Sequence, residues 1–293
     1  MAATRLSPWI VGISVLAFLV VTSACGPARL GPDDEVWTPL FDGESLSGWT
    51  PKLTGYAPGD NARTTFRVED GMLTVGYDQY GDFDGAFGHL VSDTTFSHYV
   101  IAVEYRFVGE QAPGGPGWAR QNSGIMVHAQ SAQTMTRNQD FPISIEVQLL
   151  GAAGQEERPT ANLCTPGTHV VMHGELVTQH CTNSPSATYP GEEWVRVEVR
   201  VLGDSLIQHR VNGTLVMEYT KPQIGGGFVS HPDSTIKRDG TLLTEGHIAL
   251  QSESHPIQFR AVEVLNLEGC TDPDAINYKS YYVEPNDAMC RYP

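Results

Sequence analysis

Seven side chains in the sequence are of the kind that grip or deprotonate polar ligands, and each falls on the polar side of an alternating run. In HYVIAVEYRF (98–107), Tyr99, Ile101, Val103, Tyr105 and Phe107 share one side and leave Glu104 and Arg106 on the other. ISIEVQLL sends Ile145, Val147 and Leu149 inward and Glu146 and Gln148 outward. GIMVHA sets His128 opposite Ile125, Val127 and Ala129, GHIALQ sets Gln251 opposite Ile248 and Leu250, and QFRAVEV adds Arg260. If these strands share one sheet, a single face carries two carboxylates, two guanidiniums, an imidazole and two amides. Carboxylates and imidazoles do general acid–base work, and long amides and guanidiniums hold ligand oxygens. Any antiparallel sheet has a polar solvent side, so the pattern alone is a modest signal. Long hydrogen-bonding side chains with few lysines, and Trp118, Tyr189 and Phe228 in loops able to rim the face, tilt it towards a carbohydrate ligand.

The elements that must hold these groups are short strands. From Pro39 to Leu267 the period is two, broken by Gly, Asn, Asp and Pro turns, with no sustained helical period. WVRVEVRVLGDSLIQHRVNGTLVMEY reads as a three-strand meander with Asn212-Gly213 as a two-residue hairpin turn, and Asp70-Gly71 and His173-Gly174 mark two more. Residues 109–121, 184–193 and 221–240 are long linkers of the sort that fold over a sheet face. The expected fold is all-β: a β-sandwich over residues 37–268 with a small Cys-bounded module at 269–293.

Composition narrows the function classes. The 293 residues carry 18 Lys+Arg against 34 Asp+Glu, a net charge of −16, which leaves no electrostatic footprint for nucleic acid. P-loop, GxSxG and HExxH patterns are absent from the sequence. His169, His173 and His180 flank a hairpin turn and are not read as a zinc set, and Asn212-Gly213-Thr214 is read as a turn rather than a glycan acceptor.

Residues 1–25 pair Arg5 with an apolar run from about Trp9 to Val21, too short for a confident span and matching a secretory signal. Thr22-Ser23-Ala24-Cys25 resembles a lipobox, with Thr22 where Leu is usual, so Cys25 is expected to be lipidated, 26–36 to be a tether, and the mature chain to sit lipid-anchored in a bacterial envelope. The remaining cysteines are even in number. The His173-Gly174 turn brings Cys164 near Cys181, and Cys270 and Cys290 close the C-terminal loop, so pairings 164–181 and 270–290 are expected. Asp272, Asp274, Asn277 and Asp287 are hard oxygen ligands suited to Ca²⁺, but a disulfide-stapled cap is the preferred reading of that tail.

FDGESLSGW (41–49), NSGI (122–125), EVQLL (146–150) and LQSESHPIQFRAVEVLNL (250–267), in that order, resemble the 3-keto-disaccharide hydrolase family. The resemblance implies a concanavalin-like jelly roll and cleavage of glycosides oxidised at C3 by a separate sugar 3-dehydrogenase. The ketone acidifies the C2 proton, a base removes it, the C1 substituent leaves, and water adds back. Mapped here, Glu146 is the first candidate base, with His128 and Glu104 as alternatives. Arg106, Arg260 or a bound divalent metal, Ca²⁺ or another, would stabilise the enolate. Asn122, Ser123, Gln148, Gln251 and Trp118 would hold the sugar. Arg260 is followed by Ala261-Val262 where the family often has Asn-Ile, so that contact does not transfer. The competing reading is a non-catalytic glycan-binding module on the same face.

Overall fold

The computed structural model describes residue 1, residues 33–154 and residues 156–293; the expected signal, Cys25 and most of the tether lie outside them. Residues 33–293 hold nineteen strands in one compact unit. The first nine are β1 (Trp37–Pro39), β2 (Trp49–Leu53), β3 (Phe66–Glu69), β4 (Met72–Val75), β5 (Gly88–Phe96), β6 (His98–Phe107), β7 (Asn122–Ala129), β8 (Ile145–Leu150) and β9 (Asn162–Cys164). They are followed by β10 (Thr168–Met172), β11 (Glu175–Val177), β12 (Cys181–Thr182), β13 (Val195–Leu202), β14 (Leu206–Val211), β15 (Thr214–Ile224), β16 (Gly246–Ser252), β17 (Ile257–Asn266), β18 (Glu268–Gly269) and β19 (Glu284–Pro285).

Two antiparallel sheets form a sandwich of the jelly-roll kind. The larger has ten strands, ordered β11-β10-β15-β14-β13-β6-β17-β4-β3, with β1 also paired to β17. The smaller has seven, ordered β12-β9-β8-β7-β16-β5-β2. The alternation seen in the sequence is what fills the space between them. Tyr99, Ile101, Val103, Tyr105 and Phe107 of β6 and Val195, Val197, Val199 and Val201 of β13 meet Ile125 and Val127 of β7, Ile145, Val147 and Leu149 of β8, and Ile248 and Leu250 of β16, all essentially inaccessible to water. Burying one such side chain is worth about 1.5–3 kcal/mol, so a one-residue slip of any central strand is prohibitive. All three expected hairpins form: Glu69 faces Met72, Met172 faces Glu175 and Val211 faces Thr214. Their turn residues all have positive φ (Asp70 51° and Gly71 74°, His173 52° and Gly174 85°, Asn212 47° and Gly213 82°), the twist a two-residue hairpin requires.

The two expected disulfides are present, Cys164–Cys181 and Cys270–Cys290. The first does not fasten a single ribbon. β10 and β11 join the edge of the larger sheet, whereas β9 and β12 form the edge of the smaller one, where Cys181 lies directly opposite Cys164. The C-terminal appendage is clipped on by the parallel pair β18–β19 and by Val283 N–H donating to Leu267 O (2.9 Å). Asp272 accepts from Tyr292 Oη (2.7 Å) and from Asp274 N (3.0 Å), and Asn277 Nδ2 donates to Met289 O (2.8 Å) while its Oδ1 accepts from Arg291 N (2.8 Å). These oxygens staple the appendage.

Candidate functional site

The strands carrying the polar residues do not share a sheet, which corrects the single-face expectation. Glu104 and Arg106 (β6) and Arg260 (β17) lie on the outer face of the larger sheet, while Glu146, Gln148 and Gln251 lie on the outer face of the smaller one. The larger sheet's face is an ion-pair ladder: Arg260 and Arg196 flank Glu104, Arg196 also meets Glu198 and Glu263, and Arg106 donates to Gln258. The Arg106 and Arg260 guanidiniums both lie over the Trp194 ring (4.7 and 4.6 Å to its centroid). Glu104 keeps 23% and Arg260 49% of its side-chain surface exposed, as an ordinary solvated sheet face does. Those three residues are out of reach of Glu146, on the far side of the core.

His128 is turned inward. A bulge in β7 pairs Ala249 with Met126 but His247 with Ala129, and His128, at φ 49°, absorbs the extra residue. Its Nε2 sits 3.0 Å from Gly203 O between the sheets, and burial pushes its pKa down. Ser123 also points inward, donating to Gln251 O (2.8 Å) and so fixing the strand that carries Gln251. Tyr189 packs against the core.

The smaller sheet's outer face is a different environment. It is polar yet roofed by loops, with Glu146 only 5% and Glu253 3% exposed. The cleft between floor and loops is about 630 Å³, bordered by Asn122, Glu146, Gln148 and Glu253 below and by Phe87, Trp118, Phe141 and Phe228 around it. Two of the roofing loops are the expected 109–121 and 221–240. The third, around Asp140 and Phe141, carries no motif. Asp140 accepts from Ser230 N and Oγ (both 2.7 Å), tying two loops across the cleft, and Lys52 Nζ anchors the same region by donating to Leu53 O and Arg137 O (3.0 and 3.2 Å).

Sheet register puts the floor together. Gln251 faces His89 across β16–β5, Gly124 faces Gln148 and Met126 faces Glu146 across β7–β8, and Glu146 faces Cys164 across β8–β9. Gly124, from the NSGI segment, is bare for a reason: a Cβ there would stand 2.9 Å from Glu146 Oε1 and 3.2 Å from Gln251 Oε1. Both side chains lean over its backbone and approach each other. Burial pushes Glu146 up to about 8, partly offset by the Gln251 amide. Glu253 is raised well above the usual carboxylate range, by burial and then by the charge of Glu146. Burial therefore favours the protonated form of both carboxyls at neutral pH, and ionising Glu146 makes Glu253 hold its proton more firmly.

Glu253 was missed in the sequence because it lies just beyond the alternation of β16. It rides on Ser254, a buried non-glycine residue at φ 88°, whose N–H donates to Tyr77 Oη (2.8 Å) and whose Oγ accepts from Gln111 Nε2 (2.9 Å). Strain of this kind, about 1–3 kcal/mol, is kept where surroundings enforce it, and it clusters at functional sites. The floor also carries unpaired polar atoms: Glu253 Oε2, Asn122 Oδ1, both ring nitrogens of His89 and both amide atoms of Gln251, the last close to Glu146 but without good hydrogen-bond geometry. Buried polar atoms are normally paired.

Two aromatic platforms flank the floor. Trp118 stacks on Phe87 (5.8 Å, 11° between planes), and Phe228, exposed and at φ 62°, stacks on His180 (3.9 Å, 10°). Among the described residues, one group of possible metal-ligand atoms gathers within 4.8 Å, at Cys164, His180 and Cys181. Both thiols there are spent in the disulfide, so the trio offers a metal one ligand.

The chain is similar to solved β-sandwich structures. A Bacillus subtilis protein of unknown function with a galectin-like fold is 15% identical, with 79% of this chain and 94% of that one covered and a TM-score of 0.49. A protein assigned as a glycosyl hydrolase in Parabacteroides distasonis is 19% identical over 78% and 93% of the two chains, at 0.48. The β-glucanase of Bacillus licheniformis is 10% identical over 79% and 98%, at 0.45. Curated proteins give no match. Residues 36–265, which take in both sheets of the sandwich to within one residue of the end of β17, match the family described as 3-keto-alpha-glucoside-1,2-lyase-like, and the chain belongs to that carbohydrate-directed family.

Proposed function

We propose that the protein cleaves glycosides whose sugar carries a ketone at C3, by elimination followed by hydration. The observation that carries this reading is the buried Glu146–Glu253 pair on the cleft floor. A carboxyl whose ordinary value is raised to about 8 is a stronger base than a solvated one once ionised, and a C2 proton beside a ketone is acidic enough for it to take.

In the proposed cycle the ionised member of the pair removes the C2 proton. The electron pair forms the C1–C2 double bond as the C1–O bond breaks, and the departing oxygen takes the proton of the other member. The pair therefore keeps one proton throughout. Water then adds its hydroxyl to C1 and a proton to C2, giving the free 3-keto sugar and completing a hydrolysis. Negative charge developing on the ketone oxygen needs a preorganised donor, and the unpaired Gln251 amide with its neighbour Gln148 supplies N–H groups on the same floor. Asn122 is suited to a sugar hydroxyl, and Trp118 and Phe228 to the ring faces.

Product release by the purified full chain, on a 3-keto-glucoside and its unoxidised parent with and without EDTA, tests the reading. Cleavage of the keto form alone is expected. Binding of the unoxidised glycan without turnover of either would overturn it in favour of a glycan-binding module. Loss of activity in EDTA would add a divalent metal to the enolate site.

We further assign the chain to the bacterial envelope, anchored through Cys25 and supplied with substrate by a sugar 3-dehydrogenase. The N-terminal sequence supports the anchor, and mass spectrometry of the mature N-terminus checks it: a diacylglyceryl-Cys25 is expected, and an unmodified Met1 would sink the anchor.

A further inference from the structure

Trp118 borders a second cavity, of about 750 Å³, whose other side chains include Gln111, Arg120, Glu156 and Arg158. Arg158 is held by one nitrogen: Nη1 donates to Arg120 O (2.9 Å) and to Gly151 O (2.7 Å). Burial and then the neighbouring Arg120 disfavour the charge on Arg158, with Glu156 partly offsetting them, and burial followed by both guanidiniums pushes the His255 imidazole down to about 4. Among the described residues neither has a carboxylate within 4 Å; Glu156 lines the same cavity without pairing. In a chain with 34 acidic and 18 basic residues, placing two unpaired cations side by side runs against the composition, and like charges repel unless an anion sits between them. Guanidinium forks match carboxylate and sulfate oxygens.

We propose that this cavity is an oxyanion subsite: it receives a carboxylate or sulfate ester carried by the part of the substrate that extends past Trp118, away from the Glu146–Glu253 floor. The substrate class is therefore an anionic glycoside. This rests on the reading that the cleft holds a sugar. The repulsive surroundings of a chain at −16 make the recognition local, because an anion gains nothing from the molecule's long-range field.

The test is equilibrium binding to the full-length protein of three matched disaccharides: neutral, with a terminal uronate, and with a terminal sulfate. At least one anionic probe is expected to bind about tenfold tighter than the neutral one at low salt, with the advantage shrinking as salt is raised. Arg120→Gln and Arg158→Gln are each expected to cut that ratio to about twofold, and Glu156→Gln to raise it. Arg158 also holds Gly151 and the Arg120 backbone, so Arg120→Gln is the decisive variant if Arg158→Gln fails to fold. A ratio near one in the parent protein, a ratio unchanged in Arg120→Gln, or no binding of any probe overturns the subsite. Which anionic probe wins distinguishes carboxylate from sulfate. Turnover of 3-keto forms is scored separately: keto-specific cleavage without charge preference removes the subsite and leaves the proposed chemistry, and charge preference without keto-specific cleavage does the reverse.

Discussion

At Glu146 a single side chain carries both a cost to the fold and the proposed chemistry. Its carboxyl is ionised in the unfolded chain above about 4.5 but keeps its proton in the folded one up to about 8. Between those values the folded state binds more protons, so its contribution to stability is full at low pH and is lost as pH rises through about 8. Glu146→Gln removes this dependence. The variant is expected to melt close to the parent at pH 5 and about 3 °C or more above it at pH 8.5, which thermal unfolding across pH reads directly. The same variant is expected to lose about a thousandfold in turnover of a 3-keto-glucoside, and full activity would remove Glu146 as the base. Parent turnover should rise with pH through neutrality as the pair ionises. Gly124→Ala belongs at this scale too: its Cβ would meet Glu146 Oε1 at 2.9 Å, so the carboxyl must shift, and activity should fall much further than the denaturant midpoint.

At the level of strands, sequence alternation reports which side of a strand is apolar but not which sheet the strand joins. Glu104 and Glu146 have the same local pattern, yet β6 and β8 lie in different sheets. Facing residues and hairpin turns were therefore readable, because local sterics and burial determine them, whereas the assembly of the site depends on long-range pairing that no local period encodes. His128 escaped for another reason. One extra residue in β7 reverses the alternation, and a bulge leaves no mark in a run such as GIMVHA. The bulge has a partner that can be tested: a Cβ on Gly246 would stand 2.5 Å from the His128 carbonyl carbon and 2.6 Å from its Cα. Backbone cannot yield as a flexible side chain does. Gly246→Ala is expected to cost about 1–3 kcal/mol in chemical denaturation, while Gly213→Ala, with open space around its Cβ, pays only for its positive φ of 82°.

Across the whole molecule the two disulfides have separate duties. Cys270–Cys290 closes the C-terminal appendage, which meets the sandwich through β18, β19 and a few backbone bonds. Replacing both by Ser is expected to open the appendage to proteolysis and to leave keto-sugar turnover unchanged; a matching loss of turnover would tie the appendage to the cleft. Cys164–Cys181 is part of the cleft wall, with Cys164 directly opposite Glu146 and His180 beneath Phe228. The cysteine spacing was legible, but its place beside Glu146 was not, since that follows from β8–β9 pairing. A chain folded where thiols stay reduced lacks the covalent tie across the outermost pair of strands of the smaller sheet, next to Glu146. If the chain is exported as proposed, synthesis and competence are separated in time: the polypeptide is made in a reducing interior with its cleft wall unlatched, and the latch closes only on meeting an oxidant.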